Sequence, residues 1–178
     1  EDVGNGDATA LLTPAGTPAR AAVVCRQDAV ICGQPWFDAC FRKLDARANL
    51  SWLVAEGAKV VSGTRVCEIR GDARALLAAE RSAINFLQTL SAVATVTRRF
   101  VDAAAGTRAT IVDTRKTLPG LRVAQKYAVR TGGGANHRMG LYDAMLIKEN
   151  HIAAAGGVRQ ALAQAQKFAR PGIWAQIE

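Results

Sequence analysis

Ile111-Val112-Asp113-Thr114-Arg115-Lys116-Thr117-Leu118-Pro119-Gly120-Leu121-Arg122 decides how the rest of the chain is read. Two β-branched apolar residues, which suit a pleated, half-buried surface, run into a charged cluster that Pro119-Gly120 stops. A buried strand that delivers side chains to its open end has this form. In α/β folds ligands collect beyond the carboxyl ends of the strands, so Arg115 and Lys116 lie where chemistry is expected. An ordinary strand followed by a solvated basic turn would look the same locally. The flanking sequence has to decide.

Downstream, the pattern alternates. A strand over Thr110–Asp113 is followed by a helical region over Arg122–Tyr127, the run Thr131-Gly132-Gly133-Gly134, a strand at Ala144-Met145-Leu146-Ile147 and a helix over Val158–Phe168. Pro171-Gly172 then introduces a third strand, Trp174–Ile177. Alternation at this spacing predicts parallel strands with crossover helices, the beginning of an α/β barrel. Three strands cannot close one, and the chain begins without Met and stops at Ile177-Glu178, so a fragment is expected.

Upstream, the elements are shorter. Ala21–Cys25, Ala29–Gly33, Ser51–Val54, Lys59–Val61 and Val66–Ile69 read as strands separated by Gly-containing turns. Trp36 to Ala48 places Phe37, Cys40, Phe41 and Leu44 at helical spacing. Asp72 is placed to cap a helix from Ala73, and a second helical stretch, Val93 to Ala105, ends at Gly106. The fold class is therefore α/β: an α+β, sandwich-like N-terminal domain over 1–79, then the truncated first part of an α/β-barrel domain over 80–178. The turn-strand segment Glu56–Thr64 is similar to biotinyl and lipoyl carriers, but Lys59 is not at a hairpin tip between hydrophobic neighbours, which disfavours that function.

Charge narrows the partner. Residues 1–79 hold nine Lys/Arg against nine Asp/Glu, while residues 80–178 hold fourteen against six, so the whole net charge of +8 lies in the second half. A localised positive field implies an anionic partner. The six aromatics there do not interleave with a basic run as stacking on nucleic acid would require, so a small polyanion is favoured over nucleic acid. No apolar run approaches the roughly 18 residues of a membrane span, and the acidic N-terminus is not a signal peptide. Cys25, Cys32, Cys40 and Cys67 lack C-x-x-C pairing, which argues against zinc and for reduced thiols in a cytoplasmic setting.

The candidate binding residues are Arg115, Lys116, Arg122, His137, Arg138 and Lys148, in strand-end or loop positions. Arg presents a planar fork to a carboxylate and Lys a compact point charge, so several together could hold a polyanion. Each has an ordinary alternative. Arg81 alone reads as a surface ion-pair residue, His137-Arg138 as a loop pair, and the glycines as a turn lacking the Walker pattern. Lys148 could also be a Schiff-base nucleophile.

As a set these motifs are far more specific. Asp113–Arg122, Lys126-Tyr127-Ala128-Val129, Gly132-Gly133-Gly134-Ala135-Asn136-His137-Arg138 and Leu146-Ile147-Lys148-Glu149-Asn150-His151 resemble the quinolinate phosphoribosyltransferase family, as do Glu80–Gln88 and Gly4-Asn5-Gly6-Asp7. The resemblance implies joining of quinolinate to phosphoribosyl pyrophosphate with Mg²⁺, releasing pyrophosphate and CO₂. It implies Arg115, His137, Arg138 and Lys148 around the quinolinate carboxylates, Lys116 on the phosphoribosyl donor and Arg81 reaching into the partner's site of a homodimer. Glu178 matches the second acid of the family's Glu-x-Glu pattern, as a catalytic carboxylate beside Lys116, whereas Gln176 replaces the first. No metal ligand is assigned. The later strands have no counterpart here, so the chain alone is expected to be inactive. The rival readings are a paralogue acting on another aromatic acid, a Schiff-base lyase using Lys148, and a non-catalytic anion-binding fragment.

Overall fold

The computed structural model describes residues 2–168 and 170–178; Glu1, first residue of the expected opening loop, lies outside them. After a 3-10 turn at Thr9–Leu12, β1 (Pro18–Val24), β2 (Ala29–Val30), α1 (Gln34–Leu44), β3 (Asn49–Trp52), β4 (Lys59–Val60) and β5 (Arg65–Asp72) build the N-terminal layer. β5 is the centre of a three-stranded antiparallel sheet in the order β1-β5-β3, and β2 pairs with β4. Alternation fixes the sheet's two faces: Cys67 and Ile69 point into the core, while Glu68 and Arg70 point outward. α1 closes the inner face with Phe37 and Phe41, both buried. Its first-turn N–H groups are satisfied in trans: Glu56 accepts from Gly33 N at 2.7 Å and from Gln34 N at 3.2 Å.

The two helical stretches expected beyond Asp72 are one helix, α2 (Ala73–Ala103). Nothing between Leu90 and Val93 breaks it: Ser91 is followed by Ala92, without Gly or Pro. The Ser91 hydroxyl, moreover, is committed across the core, accepting from Cys32 N at 2.9 Å and donating to Cys32 O at 3.1 Å. Asp72 caps the start, accepting from Ala75 N at 3.2 Å. The helix ends at Ala103, three residues before Gly106. It passes unbroken through residue 80 and serves two cores. Leu76, Ala79, Ala83 and Leu87 face α1 and the sheet. Leu90 and Ala94 pack with Val30, Cys32, Ala124 and Ala128.

α3 (Arg122–Thr131) lies against this second core. β6 (Ala144–Ile147) and β7 (Trp174–Ile177) then pair in parallel, joined by α4 (Glu149–Ala155) and α5 (Val158–Phe168), a βαβ crossover. α4 was not expected from the sequence. A larger correction concerns residues 110–113, which form no strand. Their only pairing is an isolated parallel bridge, Val112 to Ala135, with Ala135 N donating to Ile111 O at 2.8 Å and Asp113 N to Ala135 O at 3.2 Å. The facing segment follows three glycines and turns away at Asn136, too short for a ladder. Among the described residues there is no closed barrel, and no helix is long and apolar enough to cross a membrane.

Candidate active site

Parallel pairing of β6 and β7 brings their carboxyl ends to one edge. Lys148 directly follows β6 and Glu178 directly follows β7, and Lys148 Nζ donates to Glu178 Oε2 at 2.6 Å. That bond holds the Glu178 carboxyl below its ordinary range, helped by the positive charges of Lys148, Lys116 and His137. Lys148, Glu178 and His137 therefore share one mouth at that edge, and Lys116 lies near enough for its charge to act on Glu178, although residues 116 and 178 are far apart in sequence. Both Lys148 and Glu178 are substantially exposed, so the pair is open to exchange with an incoming anion. His151, within the same motif, is engaged locally instead. Its Nδ1 accepts from Lys148 N at 3.0 Å and caps α4.

His137 is held on two sides. Its Nε2 lies 3.2 Å from Gln176 Oε1, and its ring stands edge-on to Trp174 at 4.7 Å. The backbone is fixed by Asp113 and Lys126, which stand in the family motifs without an assigned role. Asp113 Oδ1 accepts from His137 N at 2.9 Å and from Lys126 Nζ, and Lys126 Nζ also donates to His137 O at 2.9 Å. Lys126 is 1% exposed, in a helix otherwise burying alanines. The available signal was the four-residue step from Arg122 to Lys126, which puts both on one face of α3. Arg122 pins the neighbouring loops, donating to Thr117 Oγ1 at 3.2 Å, Met139 O at 3.2 Å and Arg115 O at 3.3 Å. It is occupied structurally, whereas Arg115 keeps its guanidinium without a bond among the described residues.

Two expected residues lie apart from this mouth. Arg138 turns toward the opposite end of β6, donating from Nη1 to Ala144 O at 3.1 Å. It also borders an open cavity of about 330 Å³ that follows β6 from Ala144 to Ile147 and is lined as well by Leu141, His151 and Phe168. Arg81 is exposed on α2, two residues from buried Ala79 and Ala83 and so on the opposite helix face. None of the contacts above reaches it.

The glycines are a packing device. A Cβ on Gly132 would lie 2.5 Å from Ala94 O and 2.7 Å from Thr97 Cβ, and one on Gly134 would lie 2.8 Å from Val129 Cγ1. They let the loop that carries Asn136, His137 and Arg138 press directly onto α2.

A profile described as the N-terminal domain of quinolinate phosphoribosyl transferase matches residues 7–91, and one described as the C-terminal domain matches residues 93–178. The chain belongs to the quinolinate phosphoribosyltransferase family. A nicotinate-nucleotide pyrophosphorylase [carboxylating] of Mycobacterium leprae is 45% identical over 175 residues, 96% of this chain and 60% of that protein. A quinolinate phosphoribosyltransferase [decarboxylating] of Nicotiana glauca is 41% identical over 170 residues, 94% of this chain and 48% of its own length. The chain thus spans about half to three-fifths of these relatives. Among solved structures, NadC from Streptococcus pyogenes superposes with a TM-score of 0.94 at 38% identity, covering 99% of this chain and 64% of that one. The fold class read from the sequence, α/β with an α+β N-terminal part, agrees with these neighbours.

Proposed function

We propose that this member of the quinolinate phosphoribosyltransferase family binds quinolinate and phosphoribosyl pyrophosphate and supports their conversion to nicotinate mononucleotide, pyrophosphate and CO₂ in NAD synthesis. The observation that carries the reading is the meeting of Lys148, His137 and Glu178 at the carboxyl ends of two parallel strands, with the charge of Lys116 acting on Glu178. A dicarboxylate can take over Lys148 from Glu178, because charge-assisted bonds to a second carboxylate replace the first. Arg115, whose guanidinium makes no bond among the described residues, adds a planar fork for a carboxylate. Arg138 joins by leaving the Ala144 carbonyl, a neutral acceptor weaker than a carboxylate.

Lys116, exposed near Glu178, fits the phosphoribosyl donor. The quinolinate ring nitrogen forms a bond to the anomeric carbon as the bond to pyrophosphate breaks. Glu178, freed from Lys148, stabilises positive charge developing on the sugar. The bond from the ring to the adjacent carboxylate then breaks, releasing CO₂; its electron pair stays beside the cationic nitrogen and is protonated. Mg²⁺, bound together with the donor, would supply charge compensation for the departing pyrophosphate. No group of three or more His, Cys, Asp or Glu among the described residues would hold it as a resident ion, so we assign it no protein ligand.

Exposed Arg81, on a helix face away from the core, suits the homodimer in which it enters the partner's site. The four free thiols suit a reducing, cytoplasmic compartment. Thermal unfolding with quinolinate, nicotinate and matched chloride tests the proposal. Quinolinate at about 100-fold its Kd stabilises by about 2.7 kcal/mol, nicotinate much less, and Lys148→Ala removes the effect. Equal protection by both acids would sink it.

A further inference from the structure

We propose that Asp113, Lys126 and Asn136 form a brace that positions His137 for quinolinate, a role that rests on the function proposed above. Three separate segments meet here: the extended chain after Ile111, the helix α3 and the loop beyond the glycines. Asp113 and Lys126 make a buried ion pair, their side chains 6% and 1% exposed. Such pairs add little net stability, since desolvation offsets the attraction and apolar replacements are often as stable. What this pair does supply is direction.

Each remaining bond of the pair goes to residues 136 and 137. Asp113 Oδ1 accepts from His137 N and Lys126 Nζ donates to His137 O, so both backbone polar groups of His137 are held by one pair. Asp113 Oδ2 accepts from Asn136 Nδ2, which also donates to Lys126 O at 2.8 Å, closing the ring of contacts. The imidazole of His137 therefore leaves a fixed backbone and meets Trp174 and Gln176 of β7. Without the brace, nothing else among the described residues would fix the backbone of His137, and the ring could drift from the mouth it shares with Lys148. Asp113, Lys126 and Asn136 are positioning residues; His137 is the group presented to the ligand.

Lys126→Met keeps the stem and removes the charge. Asn136→Ala alters an exposed residue and serves as the gentler variant if the first fails to fold. The protein has two histidines, His137 and His151, so their ring signals in NMR spectra can be told apart by substituting His151. We expect the His137 signal to shift or broaden in both variants while that of His151 stays in place. We also expect quinolinate to bind about tenfold more weakly (about 1.4 kcal/mol) at a temperature where circular dichroism shows the variant folded. A purely structural role would lower the melting temperature and leave both the His137 signal and the affinity of the folded protein unchanged. Unchanged signal and affinity in folded Asn136→Ala would overturn the brace. An unmutated protein that does not bind quinolinate would overturn the proposed function, and the His137 signal would still report on the brace.

Discussion

Gly132→Ala isolates the contact on which the His137 loop depends. Gly132 has φ −71° and ψ −6°, a conformation alanine adopts freely, so the substitution brings no backbone strain. What it brings is a methyl group 2.5 Å from Ala94 O and 2.7 Å from Thr97 Cβ. The nearer obstacle is the carbonyl of a buried helix turn, which cannot rotate away as a flexible side chain would. Overpacking of this kind costs roughly 1–3 kcal/mol, and the lower chain entropy of unfolded alanine returns about 0.4–1 kcal/mol. The balance is a loss of ~1–2 kcal/mol. With a urea m-value of about 1–3 kcal/mol/M, the unfolding midpoint should fall by roughly 0.3–2 M. Thr97→Ser, which removes only Cγ2, should not restore it. Gly106→Ala is the control: φ is +81° and the space around it is open, so its cost is conformational alone, about 1 kcal/mol. A midpoint unchanged in Gly132→Ala, or fully restored by Thr97→Ser, would refute the packing argument.

Asp72→Ala removes the cap of a 31-residue helix and should cost about 1 kcal/mol in denaturant unfolding; a loss within error of zero would mean that water replaces the cap. The Glu178 carboxyl, held down by Lys148, should titrate below its ordinary 4.5 in carbonyl NMR. Its folded pKa is depressed, so the ion pair is fully present above 4.5 and is lost as pH falls through the lower folded value. Lys148→Ala should move that titration upward, and an unmoved value would remove Lys148 as its cause. Burial pushes the Cys32 and Cys67 thiols up to about 12, so both should resist a thiol reagent at neutral pH in the folded protein and react on unfolding. Rapid native labelling of Cys67, measured by mass spectrometry, would contradict its placement in the core.

Local periodicity made much of the fold legible. α1 follows from Phe37, Cys40, Phe41 and Leu44, and the β6–α5–β7 crossover from apolar runs broken by Pro171-Gly172, because these patterns repeat at the period of the element they form. Where a neighbour decides, the reading differed. Ile111-Val112 has strand composition, but a strand needs a partner of matching length, and Ala135 supplies only a bridge. The stretch around Ser91 looked like a gap between helices until the position of Cys32 gave its hydroxyl a place in the core. Lys126 stands in a family motif without a role of its own, because Asp113, thirteen positions away, is its partner only in space.

The sequence by itself determined the family motifs, the amphipathic helices, the segregation of positive charge to the second half, and the residue types that a polyanion would meet. Those properties are local or additive, and no coordinates are needed to count charge or periodicity. Tertiary structure alone decided which cations share a mouth. Parallel pairing put Lys148 beside Glu178, the glycines let the loop carrying His137 sit on α2, and α3 aimed Arg122 and Lys126 at the loops on either side of it. It also turned Arg138 toward Ala144 and set Arg81 on an outer helix face. Side-chain direction depends on which elements pack together, and packing is a property of the whole chain.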